Sequence, residues 1–335
     1  MKEILEKLYA QAPLSNSEAK SLFLAILSPD TNQFQIASVL TAFRMRQVTL
    51  DEIFGFREAA LENCVKLEFS GIDVVDVCGT GGDNKNTFNI STLSAIVVAA
   101  CGLPVAKHGG GAVSSKVGSS NLLEALGVKF TNDQSSLLKQ LEACNLCFLH
   151  APIFHPSFKN VANIRKELGV KTIFNLLGPI LNPAQPKYQT LGVYSLELVK
   201  FYRFIGQKLE KNYSVVHTLD GCDEISLTSQ AIVSDKQGEH LFAAGDFGMS
   251  NLSYDEIKEG ENISSSVIIF NNVLNNNATE AQINVVTANS ALTLFQVRKA
   301  KGEQSVLLDC VAEAKEAIVS GKARRTFSKL LDLAK

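Results

Sequence analysis

Asp76-Val77-Cys78-Gly79-Thr80-Gly81-Gly82-Asp83 follows directly on the β-branched run from Val74 and packs three glycines into four positions. Such a run reads as a strand, and glycine lets the chain leave it through positive φ and bring its backbone close to a ligand. A turn of this kind can aim several N–H groups at one anion, as nests and helix N-termini do for phosphate. It can equally be a tight strand-to-helix turn that binds nothing. Downstream, Thr87, Asn89, Ser91 and Thr92 place hydroxyl and amide groups just before an apolar helix. An N-cap accounts for one such group, not for four beside a glycine loop.

Beyond this loop, short β-branched or apolar runs alternate with amphipathic ones. Val74 to Val77 reads as a strand, Thr92 to Cys101 as a helix, Leu103 to Ala106 as a strand and Leu122 to Leu126 as a helix. That alternation predicts a parallel α/β sheet. Helix punctuation agrees: Ser91 precedes the first helix and Gly102 ends it, while Asn121, with Glu124 three later, opens the second and Gly127 closes it. Leu146 to Leu149 and Val215 to Leu219 read as further strands, and Ala281 to Lys301 and Leu307 to Val319 as long closing helices. Residues 1 to about 66 differ, with apolar positions at helical spacing in Ala19, Leu22, Phe23, Ile26 and in Phe34, Ile36, Ala37, Leu40, Phe43. The expected fold class is α/β: a small N-terminal helical domain, then a large α/β domain with a mainly parallel central sheet.

The 335 residues, 46% hydrophobic and 20% charged, can bury a large core. Thirty-two basic against thirty-four acidic side chains leave a net charge of −2. That supplies no field for drawing in nucleic acid or an anionic membrane, so any anionic ligand must be met locally. The opening Met1-Lys2-Glu3-Ile4-Leu5-Glu6 lacks the apolar stretch of a secretory signal. The longest apolar run, Ala95 to Ala106, contains Gly102 and Pro104 and is too short to span a bilayer. A cytoplasmic protein is expected. Seven scattered cysteines read as buried thiols in a reducing compartment, and Cys144-Asn145-Leu146-Cys147 has no second pair to make a zinc site.

Three further stretches carry chemistry. Lys107-His108-Gly109-Gly110-Gly111-Ala112-Val113-Ser114-Ser115-Lys116-Val117-Gly118-Ser119-Ser120 follows the second strand with two lysines, four serines and four glycines. Successive parallel strands deliver their C-terminal loops to the same edge, so this loop and the first should face one another across a crevice. Asp220-Gly221-Cys222-Asp223-Glu224 lies between strand-like runs. Adjacent carboxylates in a turn are usually just solvated, but beside a polyphosphate they suit magnesium, which binds through one or two carboxylates plus substrate phosphates. The fourth stretch runs from His150-Ala151-Pro152 through Arg165 to Asn175-Leu176-Leu177-Gly178-Pro179. An arginine fork beside apolar walls can recognise an aromatic carboxylate, or Arg165 can pair at the surface with Glu167.

Together these stretches resemble the anthranilate phosphoribosyltransferase family, in order and spacing, from the first helices to the last. The resemblance implies transfer of the phosphoribosyl group of phosphoribosyl pyrophosphate (PRPP) to anthranilate, a step of tryptophan biosynthesis. It implies a homodimer whose small helical domain, residues 1–68 with an inserted segment near 165–185, packs on an α/β domain of 69–164 and 186–335, with PRPP between the two. The positions it assigns to PRPP are Gly79, Gly82, Asp83, Thr87, Asn89, Ile90, Ser91, Thr92, Lys107, His108, Gly109, Gly110, Gly111, Ala112, Val113, Ser114, Ser115 and Ser119. Gly79, Gly110 and Arg165 would contact anthranilate. One magnesium would be tied to Ser91 and another to Asp223 and Glu224.

The mechanism implied is direct displacement at the ribose anomeric carbon, with no covalent enzyme intermediate and no general base identified. One departure stands out: the family reads Lys-His-Gly-Asn followed by a large side chain where this chain has Gly110 and Gly111. PRPP and metal binding should survive that change, and efficient use of anthranilate should suffer. A pyrimidine nucleoside phosphorylase would share the fold type and the phosphate loop, but its site needs no carboxylate pair for metal pyrophosphate. A non-catalytic relative that binds nucleic acid would need a basic groove, which the net charge does not favour.

Overall fold

The structure is a computed structural model that describes residues 1–111 and 117–334. Four helices open the chain, α1 (Lys2–Tyr9), α2 (Asn16–Leu27), α3 (Gln33–Arg44) and α4 (Leu50–Glu62). Strands and helices then alternate as β1 (Val75–Gly79), α5 (Ile90–Ala100), β2 (Val105–Gly109), α6 (Ser119–Ala125), α7 (Gln134–Cys144) and β3 (Leu146–His150). A mid-chain helical stretch holds α8 (Ala151–Phe154), α9 (Lys159–Leu168) and α10 (Phe174–Leu177). The chain returns to β4 (Tyr188–Gly192), α11 (Leu196–Lys208), β5 (Asn212–Thr218), β6 (Ala231–Asp235) and β7 (Gly238–Phe242). It closes on α12 (Ile263–Leu274), α13 (Glu280–Ala300), α14 (Leu307–Val319) and α15 (Lys322–Leu333).

Two compact units result, one of Met1–Lys66 with Ala151–Gln185 and one of Leu67–His150 with Pro186–Lys335. The mid-chain segment of the helical unit therefore starts at Ala151, earlier than the 165 expected. The reason is aromatic packing: Phe23 of α2 lies 5.2 Å from both Phe56 and Phe174 and 6.0 Å from Phe158. Polar links reinforce it, with Arg57 Nε donating to the Ile180 carbonyl at 3.1 Å and Asn160 Nδ2 to the Leu27 carbonyl at 2.7 Å. Helices α2 and α4 start on capping boxes, Ser15 with Glu18 and Thr49 with Glu52, each satisfying end N–H groups that the helix cannot.

In the α/β unit the seven strands run in the order β3-β2-β1-β4-β5-β6-β7. The first five are mutually parallel, while β6 pairs antiparallel with β5 and β7 antiparallel with β6. The chain builds outward from β1 through β2 to β3, then returns to β1's other side with β4, pairing Val75 with Tyr188 and Gly79 with Gly192. A reversal of this sort opens a crevice beyond the carboxyl ends of the two strands, where ligands bind in open α/β sheets. Helix α5, buried at every position from Thr92 to Ala100, and α13, buried from Ile283 to Leu294, pack together at the centre of the core. A helix without a polar face belongs inside.

Two cap expectations are corrected. Helix α5 begins at Ile90 with Asn89 as its N-cap, so Ser91 sits inside the first turn. Helix α6 begins at Ser119 behind Gly118, with Asn121 and Glu124 inside it and no side-chain cap. In both places the glycine loop delivers the backbone to the helix, so the start is set by the loop and not by a capping side chain.

The helical unit is anchored by Glu52, which is fully buried. Its carboxylate accepts from both Arg46 terminal nitrogens, from the Leu14 N–H at 2.8 Å and from the Thr49 N–H at 2.8 Å. Burial pushes the carboxyl's pKa up, but these donors outweigh it and leave the value below normal. Stability from a carboxyl lowered in this way is present at neutral pH and lost as pH falls through the lowered pKa. Glu52→Gln should cost about 3 kcal/mol, read as a shift in the urea midpoint at pH 7, and the gap between parent and variant should narrow towards pH 3. An unchanged midpoint at pH 7 would show that the buried ion pair contributes nothing net.

Candidate functional site

The site is assembled where β1 and β4 end. After Gly79 the chain turns through Gly81 (φ 63°) and Gly82 (φ 78°), and the Thr80 N–H donates to the Gly192 carbonyl at 2.9 Å. Into this corner comes Asp223: Gly81 N–H donates to its Oδ2 at 2.8 Å. The fit requires both glycines, because a Cβ on Gly79 would lie 2.5 Å from Asp223 Oδ2 and one on Gly192 only 1.5 Å from the Asp223 carbonyl oxygen. Glu224 Oε1 accepts from Thr87 Oγ1 at 2.6 Å, tying the carboxylate pair to the far end of the same loop. Asp220, the third acid of the stretch, shapes the turn by accepting from the Cys222 N–H at 3.3 Å and from the Thr228 hydroxyl.

The electrostatics call for a cation. Burial, and after it the charge of Asp83, push the Asp223 carboxyl up to about 7. Burial, and after it the charge of Asp223, push Glu224 well above the usual carboxylate range. Asp83 accepts from the Lys85 N–H at 3.1 Å through Oδ1, while its buried Oδ2 has no hydrogen-bond partner. Lys107 favours the ionised form of both Asp223 and Glu224. Among the described residues no three His, Cys, Asp or Glu side chains are grouped to enclose an ion. The protein thus offers an incomplete shell, and magnesium, which takes one or two carboxylates and completes its octahedron with phosphate and water, fits it.

The rest of the expected anion site surrounds this corner. Asn89 makes no capping bond to α5 and instead donates through Nδ2 to the Val117 carbonyl at 3.3 Å. The positive end of the eleven-residue helix is thereby left without a side-chain cap, with the Ile90 N–H turned back onto the Phe88 carbonyl at 2.5 Å. Thr92 is fully buried, its hydroxyl without a hydrogen-bond partner. Buried Lys107 donates to the Val77 carbonyl and to Ser91 Oγ at 3.4 Å, so it ties β2 to β1 and to the start of α5. His108 is buried on β2, its N–H donating to Asp76 Oδ1 at 3.2 Å. Ser119 Oγ and the Ser120 N–H both donate to the Gly110 carbonyl at 3.3 Å, which seats Gly109 to Gly111 on the start of α6. Ala112, Val113, Ser114 and Ser115 lie outside the described residues.

Arg165 belongs to the helical unit, on α9. Its guanidinium lies 5.0 Å from the centre of the Phe174 ring, and burial lowers its pKa. The surface pair with Glu167 does not form: among the described residues no carboxylate pairs with Arg165. A partly buried cation of this kind can receive an anion.

Gly192 was not among the residues expected from the sequence. Its signal was a glycine closing a buried strand, which marks close approach by another backbone.

Residues 71–324 match the a/b domain of a glycosyl transferase family, and residues 2–64 match the helical bundle domain of the same family. That class is the one the two units and the phosphate-and-cation corner define. Within it, the anthranilate phosphoribosyltransferase of Christiangramia forsetii is 46% identical over 334 residues, covering 100% of this chain and 99% of that protein. The one from Flavobacterium johnsoniae is also 46% identical, at full coverage of both. The crystal structure of the Thermus thermophilus enzyme superposes with a TM-score of 0.89 at 30% identity, covering 98% of each chain. The Saccharomyces cerevisiae enzyme in complex with PRPP and Mg gives 0.90 at 28% identity, covering 98% of this chain and 96% of that one. The chain belongs to the anthranilate phosphoribosyltransferase family.

The closeness of Gly192 to Asp223 can be tested directly. Gly192→Ala forces the Asp223 backbone away from the loop, so magnesium-dependent PRPP binding measured by calorimetry should weaken at least tenfold, about 1.4 kcal/mol. Gly245→Ala, where an added Cβ meets nothing within 4 Å, should bind as the parent does. Parent-like binding by Gly192→Ala would remove Asp223 from the site.

Proposed function

We propose that the chain transfers the phosphoribosyl group of PRPP to the amino group of anthranilate, releasing pyrophosphate. The observation that carries the reading is the pair Asp223 and Glu224, set at the strand switch point and bonded to Gly81 and Thr87 of the glycine loop. The nucleoside phosphorylase alternative gives that pair nothing to do.

In this reading the loop from Gly79 to Asp83, with Thr87, Asn89 to Ser91, Lys107 and the Gly109 loop, holds the phosphates through backbone donors and two helix N-termini. Magnesium, when bound, would supply the positive charge that offsets pyrophosphate as it leaves. Asp223 and Glu224 would hold one such ion, and Ser91 another. Catalysis by this chain's own groups is then positioning plus electrostatics: Lys107 and the α5 N-terminus stabilise charge on the departing oxygens, and Arg165 holds the acceptor's carboxylate. No side chain is assigned the amine's proton. Homodimer formation is supported by the large exposed side chains Tyr9, Phe34 and Met45 of the helical unit. A cytoplasmic setting is supported by seven free thiols, and no helix among the described residues is long and apolar enough to cross a membrane.

Asp223→Asn combined with Glu224→Gln should raise the magnesium concentration needed for PRPP saturation and lower turnover. Saturation curves that overlay those of the parent across a magnesium titration would cancel the metal assignment. Arg165→Ala should raise the anthranilate KM roughly tenfold to a hundredfold, the loss of one charge-assisted hydrogen-bonded pair, while PRPP affinity stays near that of the parent. Collapse of PRPP affinity instead would put Arg165 on the other substrate.

A further inference from the structure

The peptide that follows Glu224 is held by buried side chains that never reach the loops. The Glu224 carbonyl accepts from Thr218 Oγ1, at the end of β5, at 2.5 Å. The Ile225 N–H donates to Asn289 Oδ1 at 3.0 Å, and the Ile225 carbonyl accepts from Asn289 Nδ2 at 2.8 Å. Nδ2 also donates to the Val285 carbonyl at 2.8 Å, one turn back in α13, so both amide hydrogens are engaged. Thr218 is fully buried and Asn289 is 8% exposed.

A carboxamide placed this way reads one donor and one acceptor of the same residue, as a neighbouring strand would, and fixes the backbone on which Glu224 stands. That backbone needs fixing. Glu224 and Asp223 are adjacent in sequence, Glu224 is buried and Asp223 partly so, and the charge of Asp223 opposes ionisation of Glu224. Like charges so placed drive their carriers apart unless the main chain is held. Helix α13 is the natural support, because it is buried along most of its length and has no solvent face on which to tilt.

The geometry points to Asn289, together with Thr218, as positioning residues that clamp the Glu224–Ile225 peptide and so set the affinity of the carboxylate pair for its cation without touching substrate. This rests on the assignment of Glu224 to the metal, and the outcomes below separate the two.

The full-length chain is titrated with PRPP by calorimetry at a series of magnesium concentrations, and melting is followed in parallel. In Asn289→Ala the magnesium concentration at half-maximal PRPP binding should rise about tenfold, the loss typical when a partner behind a metal ligand is removed. PRPP affinity at saturating magnesium should stay within about twofold. Ser290→Ala, which removes only an intrahelical bond to the Val286 carbonyl of 2.7 Å, should leave the magnesium midpoint in place. In a Glu224→Gln background, Asn289→Ala should add no further shift. Should Asn289→Ala fail to fold, Thr218→Val removes the other half of the clamp and should shift the midpoint in the same direction. The inference is overturned if the variant that folds leaves the midpoint unmoved, or moves it equally with and without Glu224. If Glu224→Gln itself leaves the midpoint unmoved, the metal assignment falls and this inference falls with it.

Discussion

Asp223 fits because two strands end in glycine at the same level. Gly79 and Gly192 are register partners, and the aspartate's carboxylate lies over one and its backbone over the other, closer than any side chain would allow. Its seat therefore depends on the sheet's pairing and not on the loop alone. The glycine loop is fastened to the seated carboxylate through Gly81, and the next residue, Glu224, fastens Thr87. Loop, carboxylates and the start of α5 form one connected object, which is how a nearly neutral protein can present a localised field to a polyphosphate.

The helical unit solves a different problem. It carries Arg165 partly buried, where desolvating the guanidinium is costly and the centre of the Phe174 ring lies 5.0 Å away. Cation–π contact offsets part of that cost. In the role proposed for Arg165, the acceptor's carboxylate would offset the remainder.

Much of this was legible from residue types. The Val74–Val77 strand leading into Gly79 to Asp83 revealed β1 and the glycine turn that leaves it because β-branched runs and clustered glycines have few other uses, and the helices at 281–301 and 307–319 revealed themselves by length. What escaped had physical reasons. Tyr188-Gln189-Thr190-Leu191-Gly192 is buried on both faces, yet it carries two polar residues, so β4 lacks the apolar run of a central strand. Its Gln189 is excused by partners in Asp76 and Cys78 that only the fold supplies. Asn289 sits in what reads as an ordinary long helix, and its role depends on Ile225, 64 residues away. The Cys144 and Cys147 pair was read as inert, and both thiols are buried and free. The start of the mid-chain segment at Ala151 depended on aromatic neighbours that no local pattern encodes.

The helical unit is made of two stretches of chain separated by the first half of the sheet. On the ribosome, α1 to α4 emerge long before Phe158 and Phe174, the rings that complete the cluster around Phe23. At synthesis rates of about 5–20 residues per second, the interval between Phe56 and Phe174 is on the order of ten seconds. During that time Phe23 and Phe56 have only each other and their helical neighbours. The nascent chain therefore passes through a stage in which four helices wait with an unfinished apolar face while β1, β2 and β3 are being made. Chaperone engagement and aggregation risk should concentrate there, before the α/β unit is complete.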